Sequence, residues 1–140
     1  LALHTLPSPT TTPSGEPFLF TDDNGRVFLS WIEKKGDLNE FKFSELKDSM
    51  WSQPVIIAAD SNWFVNWADY PMLAANGKQF IAHFLAKSGE GTFAYDVMVT
   101  QSNDGGTTWS SPKAIHDDGK QAEHGFVSLV PYGENFLVTW

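Results

Sequence analysis

The sequence predicts an all-β chain: a β-propeller of four-stranded antiparallel blades, with about two and a half blades within its 140 residues. Three observations lead there. The chain carries eleven Phe, six Trp and three Tyr beside eleven Gly and eight Pro, a mixture of residues that suit pleated, half-buried surfaces and residues that turn the chain. An apolar run, a Gly-containing turn and a second apolar run recur three times. A Ser-x6-Trp-Ser-x-Pro phrase follows the first two of these hairpins, and self-similarity of this length signals a stacked or radial architecture.

In chain order, residues 1–15 (LALHTLPSPTTTPSG) form an extended N-terminal segment, rich in Pro, Thr and Ser. Blade one covers about 16–60. It opens with the hairpin from Glu16 to Trp31, turning at Asp22-Asp23-Asn24-Gly25, continues in a strand from about Phe41 to Ser44, and closes with Ser44, Trp51, Ser52 and Pro54. The connection Ser61 to Trp67 leads to blade two, about 68–116. Here the hairpin runs from Asp69 to Phe84, and strict alternation in Tyr95-Asp96-Val97-Met98-Val99-Thr100 marks a strand. Ser102, Trp109, Ser110 and Pro112 repeat the closing phrase. Residues 123–140, with the hairpin from His124 to Trp140, begin blade three. Phe28, Phe80 and Phe136 recur at intervals of 52 and 56 residues, enough for four short strands per unit. No window sustains a helical period over three turns. Because a closed propeller needs at least four blades, further blades or other copies of the chain are expected to complete the ring.

A formal charge of -8 repels phosphate backbones, so no nucleic-acid partner is expected, and anionic membranes are disfavoured likewise. No apolar run reaches the roughly 20 residues that span a bilayer, so no membrane insertion is expected. The absence of cysteine excludes disulfides and thiolate metal sites. No P-loop, GxSxG elbow, HExxH or dinucleotide fingerprint occurs, and no cofactor is expected. Asp22-Asp23-Asn24-Gly25 and Asp117-Asp118-Gly119 lack the spacing of a calcium loop and read as turns, so no metal is expected either.

The most specific phrase is Ser102-Asn103-Asp104-Gly105-Gly106-Thr107-Thr108-Trp109, which fits Ser-x-Asp-x-Gly-x-Thr-Trp at every defined position. Its role is structural: Asp104 can accept hydrogen bonds from turn amides, Gly106 can adopt positive φ, and Trp109 can pack between sheets. Ser44 to Trp51 is a degenerate copy, with Leu46, Asp48 and Met50 where Asp, Gly and Thr stand in the second. With the blade-length spacing, this phrase resembles the Asp box of the sialidase-like, BNR-repeat superfamily, over about Gly15 to Trp140. Asn66-Trp67-Ala68-Asp69-Tyr70-Pro71 and Glu123-His124-Gly125-Phe126-Val127-Ser128 are similar to phrases in bacterial secreted proteins of exo-sialidase type. The resemblance implies part of a six-bladed, secreted, periplasmic or cell-surface propeller acting on a glycan or glycoconjugate. On that resemblance a glycoside hydrolase in its full-length form is expected or, alternatively, a non-catalytic glycan- or protein-binding propeller. Active members use an arginine triad, a Tyr/Glu nucleophile pair and an Asp acid/base. Arg26 is the sole arginine here; it follows a turn, where a solvated role is expected, and no triad can be built from this segment.

Residues just ahead of the innermost strands are the ones a ligand in the funnel meets. Asp69 and Tyr70 stand there in blade two, Glu123 and His124 in blade three. Asp69 and Glu123 are the candidate catalytic carboxylates, able to divide into acid and base or nucleophile, and His124 the candidate proton carrier or carboxylate-orienting group. Against this stands a structural role, with the carboxylates capping backbone amides and His124 donating to a neighbouring blade. Tyr70, Asp96 and Trp67 are the substrate-binding candidates. Within Trp63, Phe64 and Trp67, exposed rings would stack on sugar faces and buried rings would wedge blades together. His83, in mid-strand, is expected between sheets.

Overall fold

The computed structural model describes residues 2–140, and its regular elements are eleven β-strands in three antiparallel sheets. The first sheet comprises β1 (Ser14–Thr21), β2 (Val27–Lys35), β3 (Leu38–Lys47), β4 (Met50–Trp51) and β5 (Val55–Asp60). β1, β2 and β3 pair in sequence, and both β4 and β5 pair with β3. The second sheet takes β6 (Met72–Asn76), β7 (Gln79–Lys87), β8 (Tyr95–Ser102) and β9 (Lys113–Ala114) in consecutive order, and the third holds β10 (Ser128–Tyr132) and β11 (Asn135–Thr139). The three sheets are unequal in size, and none closes on itself. β6 lies against both β1 and β10, so the leading strands of the three sheets are neighbours.

The stretch expected to be an extended N-terminal segment already joins the first sheet at its end. Ser14 and Gly15 pair with Glu33 and Ile32, Lys34 N donates to the Pro13 carbonyl at 3.1 Å, and Thr12 Oγ1 donates to Glu33 Oε2 at 3.1 Å. Beneath that cover Glu33 accepts from Trp31 Nε1 and from Lys42 Nζ, which also pairs with Glu40. Burial opposes the Glu33 charge, but the hydrogen bonds from Lys42, Trp31 and Thr12 outweigh it and hold its pKa below the usual value.

Aromatic side chains fill the space between the first and second sheets. Phe28, Phe41 and Phe43 of the first meet Phe80 and Phe84 of the second, with Trp63 of the connection packed on Phe84 at 4.3 Å between ring centroids. Ala74, Ile81 and Leu129 join the second and third sheets. The second sheet is thus covered on both faces, which explains why β7 is buried at six consecutive positions instead of alternating. His83 is among them, as expected between sheets. Neither ring nitrogen has a hydrogen-bond partner, and burial pushes its pKa down to about 3, so the ring is neutral.

Arg26 departs from the solvated role expected of it. Its Nε donates to Asp22 Oδ2 at 2.8 Å, its Nη2 donates to the Gly77 carbonyl at 2.6 Å, and the guanidinium lies over Phe28 and Phe80 at 5.2 and 5.7 Å. The reason is Asp22, a buried carboxylate whose turn needs a cation beside it. Arg26 supplies it and fastens the first hairpin turn to the second.

At the foot of the second sheet, Ser102 Oγ donates to Asp104 Oδ1 at 2.7 Å and accepts from Gly106 N at 2.9 Å. Asp104 accepts from the Thr108 hydroxyl and amide at 2.6 and 2.9 Å, bonds that, with Ser102, lower its pKa to about 2. Gly106 has φ +86°, and a Cβ there would stand 2.5 Å from Phe43 Cζ. Trp109 donates to the Gly106 carbonyl at 3.0 Å and packs edge-on against Phe43 and Phe80. The Ser44–Trp51 segment keeps positive φ at Asp48 but loses the rest, and Ser44 Oγ is buried without a partner.

Candidate functional site

Three chain segments meet at the end of the second sheet remote from the Ser102–Trp109 turn, about 23 Å along β8 at the usual rise per residue. They are the approach to β6, the start of β8 and the approach to β10. Tyr95 opens β8. A single parallel bridge pairs it with Glu123; Tyr95 N donates to the Ala122 carbonyl and His124 N to the Tyr95 carbonyl. Successive side chains in extended backbone point to opposite faces, so this one bridge sorts four residues into two pairs. Tyr95 and Glu123 fall on one side, Asp96 and His124 on the other.

On the first side the Tyr95 hydroxyl bonds to Glu123 Oε1 at 2.9 Å and lies 3.3 Å from Asp69 Oδ2. Asp69 is buried, and both its oxygens accept from Phe126 N at 2.9 Å. Two local features make that possible. Phe126 adopts φ +54°, a conformation that costs a non-glycine residue roughly 1–3 kcal/mol and is held only where surroundings enforce it. Gly125 lies against the Asp69 carboxylate and the Tyr95 ring, and any Cβ there would collide with Asp69 Oδ2. Burial raises the Asp69 pKa, the Glu123 charge adds to this, and together they outweigh the bonds from Phe126 and Tyr95. Burial and the two neighbouring carboxylates likewise hold the Tyr95 hydroxyl far above its ordinary pKa, so it remains a proton donor. Phe64 stacks on the Tyr95 ring at 4.2 Å and 11°.

This arrangement supports proton transfer. Tyr95 has one proton and two acceptors, and it makes its shorter bond to Glu123. The hydroxyl links the two carboxyl groups in one hydrogen-bonded chain. Asp69 is the buried end of that chain and Glu123 the exposed end.

Asp69 and Glu123 therefore come together, but His124 does not join them. Its ring lies with Asp96 on the other side of the bridge, Nδ1 3.6 Å from Asp96 Oδ1. Tyr70 turns toward the first sheet, 6.1 Å from the Phe18 ring. Trp67 is 84% exposed and Phe126 65%, two open aromatic side chains on segments that bear on Asp69. Trp63 and Phe64, by contrast, are packed. Tyr95 went unassigned in the sequence reading, where it marked a strand start. The signal was available in its place at the head of an alternating run, level with the residues ahead of the innermost strands. His116 was also missed. Its ring stacks on His124 at 3.8 Å and 14°, a pairing between residues eight apart in an irregular segment that no sequence period announces.

No protein-family model matches the chain, and no curated protein does. Among solved structures, the fold is similar to an endo-1,4-β-xylanase from Bacteroides thetaiotaomicron VPI-5482, with 15% identity, a TM-score of 0.56, and coverage of 93% of this chain and 48% of that one. It is also similar to an α-L-arabinofuranosidase from Clostridium thermocellum ATCC 27405, with 16% identity, a TM-score of 0.53, and coverage of 87% and 39%. This chain spans less than half the length of either. The likeness is one of all-β fold, and neither structure is a sialidase.

Proposed function

We propose that this chain is part of a glycan-acting β-propeller of the sialidase-like kind, whose complete form hydrolyses glycosidic bonds. The observation that carries the reading is the meeting of Asp69 and Glu123, from the approaches to two successive sheets, on one Tyr95 hydroxyl. β6 lies against both β1 and β10, as the leading strands of neighbouring blades do in a propeller, and on this reading the chain holds about two and a half blades over 16–60, 68–116 and 123–140. The fold's likeness to two glycoside hydrolases adds support by analogy.

In this mechanism Glu123, the exposed end of the chain, faces the scissile bond and exchanges the proton or attacks the sugar. Tyr95 and Asp69 orient it and store the proton. Asp96 and His124 stand apart from the reacting atoms. Arg26, spent on Asp22 and Gly77, takes no part in holding a substrate carboxylate, so sialic acid recognition would need residues outside this segment. The site lies outside the cytoplasm, secreted, periplasmic or at the cell surface, where polymeric glycans are met.

A panel of aryl glycosides and natural oligosaccharides, offered to the whole protein, tests the reading. Glu123→Gln should reduce turnover at least 100-fold while leaving substrate retention intact, and Asp69→Asn should reduce it less. A Glu123→Gln protein as active as the wild type would remove the pair from catalysis. The exposure of Trp67 and Phe126 favours a second reading, a non-catalytic glycan binder. That reading is selected if no substrate turns over but glycan retention is lost in Trp67→Ala.

A further inference from the structure

On the other side of the Tyr95–Glu123 bridge, Asp96, His116 and His124 each present one ligand atom, all within 4.8 Å of one another. Asp96 Oδ1 lies 3.8 Å from His116 Nε2 and 3.6 Å from His124 Nδ1. These separations are too long for hydrogen bonds. They are within the ~4.2 Å ceiling for two donors that each bind one ion at ~2.0–2.2 Å.

Two further observations point to a ligand. The His116 side chain is 9% exposed, and its Nε2 and Asp96 Oδ1 are both buried with no hydrogen-bond partner. An anionic oxygen and a ring nitrogen left facing each other in this way are costly unless something between them bonds to both. The outer nitrogens, moreover, both turn to one carboxylate. His124 Nε2 is 3.2 Å from Asp118 Oδ2 and His116 Nδ1 is 3.7 Å from Asp118 Oδ1. A carboxylate hydrogen-bonded behind the ring, as Asp118 is behind His124, is the arrangement that fixes tautomer and orientation in metal-binding histidines. Asp118 is held in its turn by Lys120 N at 3.2 Å.

We propose that Asp96, His116 and His124 form a binding site for a divalent transition-metal ion, with Asp118 as the group that holds the His124 ring. Two imidazoles and one carboxylate select zinc and its neighbours over calcium or magnesium, which take all-oxygen shells. His116 Nε2, Asp96 Oδ1 and His124 Nδ1 are the ligands. The His124 Nδ1 contact to the Tyr95 carbonyl at 3.3 Å is given up, and the two rings splay from their 14° stack so that both lone pairs meet the ion. Remaining coordination positions open to a cavity of about 330 Å³ lined by Asp96, His116, Asp118 and Gln121. The ion ties the irregular segment of residues 115–124 to β8. It thereby fixes the stretch that carries Glu123, although the site stands whether or not Glu123 is catalytic.

The test uses the metal-free whole protein with Zn²⁺ alone and Co²⁺ alone. Calorimetry should give one Zn²⁺ per site, and Co²⁺ should develop visible d–d absorption. The double variant His116→Asn/His124→Asn should lose that site, and Asp118→Asn should weaken it roughly 10–100-fold. Undiminished Zn²⁺ binding in the double variant would overturn the proposal, as would no binding by the wild type. A measurement on unaltered protein guards against a variant that misfolds. Zn²⁺ should protect His116 and His124, but not His4, from diethyl pyrocarbonate, read by peptide mass mapping. Equal modification with and without Zn²⁺ refutes the site.

Discussion

Replacing Gly106 by alanine tests the packing of the second sheet's turn against the first sheet. Two costs add. The backbone has φ +86°, and a left-handed conformation costs an L-residue roughly 1–2 kcal/mol. The new methyl would also stand 2.5 Å from Phe43 Cζ, 3.0 Å from Phe43 Cε1 and 3.3 Å from Phe80 Cδ2, and forcing a methyl into a filled core costs about 1–3 kcal/mol. Both rings are buried and hemmed by Phe28 and Trp109, so they have little room to yield. The expected loss is about 2–5 kcal/mol, a fall in urea midpoint of roughly 1–2.5 M at an m near ~2 kcal/mol/M. Gly105 is the internal control. Its φ is +76°, but nothing lies within 4 Å of a Cβ there, so Gly105→Ala pays only the backbone cost. Shortening the obstructing ring should recover part of the loss, making Phe43→Leu and Gly106→Ala less than additive in a double-mutant cycle. Equal midpoints for the two glycine variants, or strict additivity in the cycle, would refute the steric argument.

Two further substitutions follow from buried charge. Lys42→Met strands the Glu33 and Glu40 carboxylates beneath the N-terminal segment and should cost about 3–5 kcal/mol at neutral pH. Because Glu33's folded pKa is depressed, its contribution is present above the unfolded carboxylate pKa and lost as pH falls through the folded one. The gap between variant and wild type in urea midpoint should therefore narrow on acidification, and a constant gap would count against the pairing. His83→Leu removes two unpartnered buried nitrogens. With the His83 pKa lowered from 6.5 to about 3, the unfolded chain binds a proton over that interval that the folded chain does not, so wild-type stability falls as pH drops. The leucine variant should be spared that loss, its advantage growing from pH 6.5 downward. Parallel pH profiles for the two proteins would show that His83 has an unseen partner.

The sheets were more legible in the sequence than the site was. Hairpins were readable because apolar alternation on both sides of an Asp/Asn-Gly or Gly-containing turn has one economical solution, and all three appear as β1–β2, β6–β7 and β10–β11. The outer strands were less legible, since the fourth strand of a sheet has little pattern to betray it. Val55–Asp60 forms a full strand where its counterpart after Trp109 is two residues long. At the site, Asp69 and Glu123 were singled out through their equivalent places in the repeat, and the two carboxylates do meet on one Tyr95 hydroxyl. Tyr95 was missed because what joins it to Glu123 is a parallel bridge between residues 28 apart, and no local period encodes a pairing at that distance; His116 was missed because it meets His124 within an irregular segment. His124 was read as the companion of Glu123 because both stand just ahead of an innermost strand. Adjacency in an extended backbone is what sends their side chains to opposite faces. Arg26 was misjudged for a related reason. A residue after a hairpin turn reads as solvated until a second turn is known to pass beside it.

Each sheet is drawn from one unbroken stretch of chain, residues 14–60, 72–114 and 128–139, and this gives the molecule a direction in time. As the chain emerges during synthesis, the first sheet can pair fully before any residue of the second exists, and the second before the third. The Asp69 carboxylate cannot acquire its Phe126 amide, nor Tyr95 its Glu123, until more than fifty and nearly thirty further residues, respectively, have been made. A nascent chain halted before Ala122 would hold two paired sheets and an Asp69 carboxyl still without its partners, so the scaffold is finished early and the cluster around Tyr95 is assembled last.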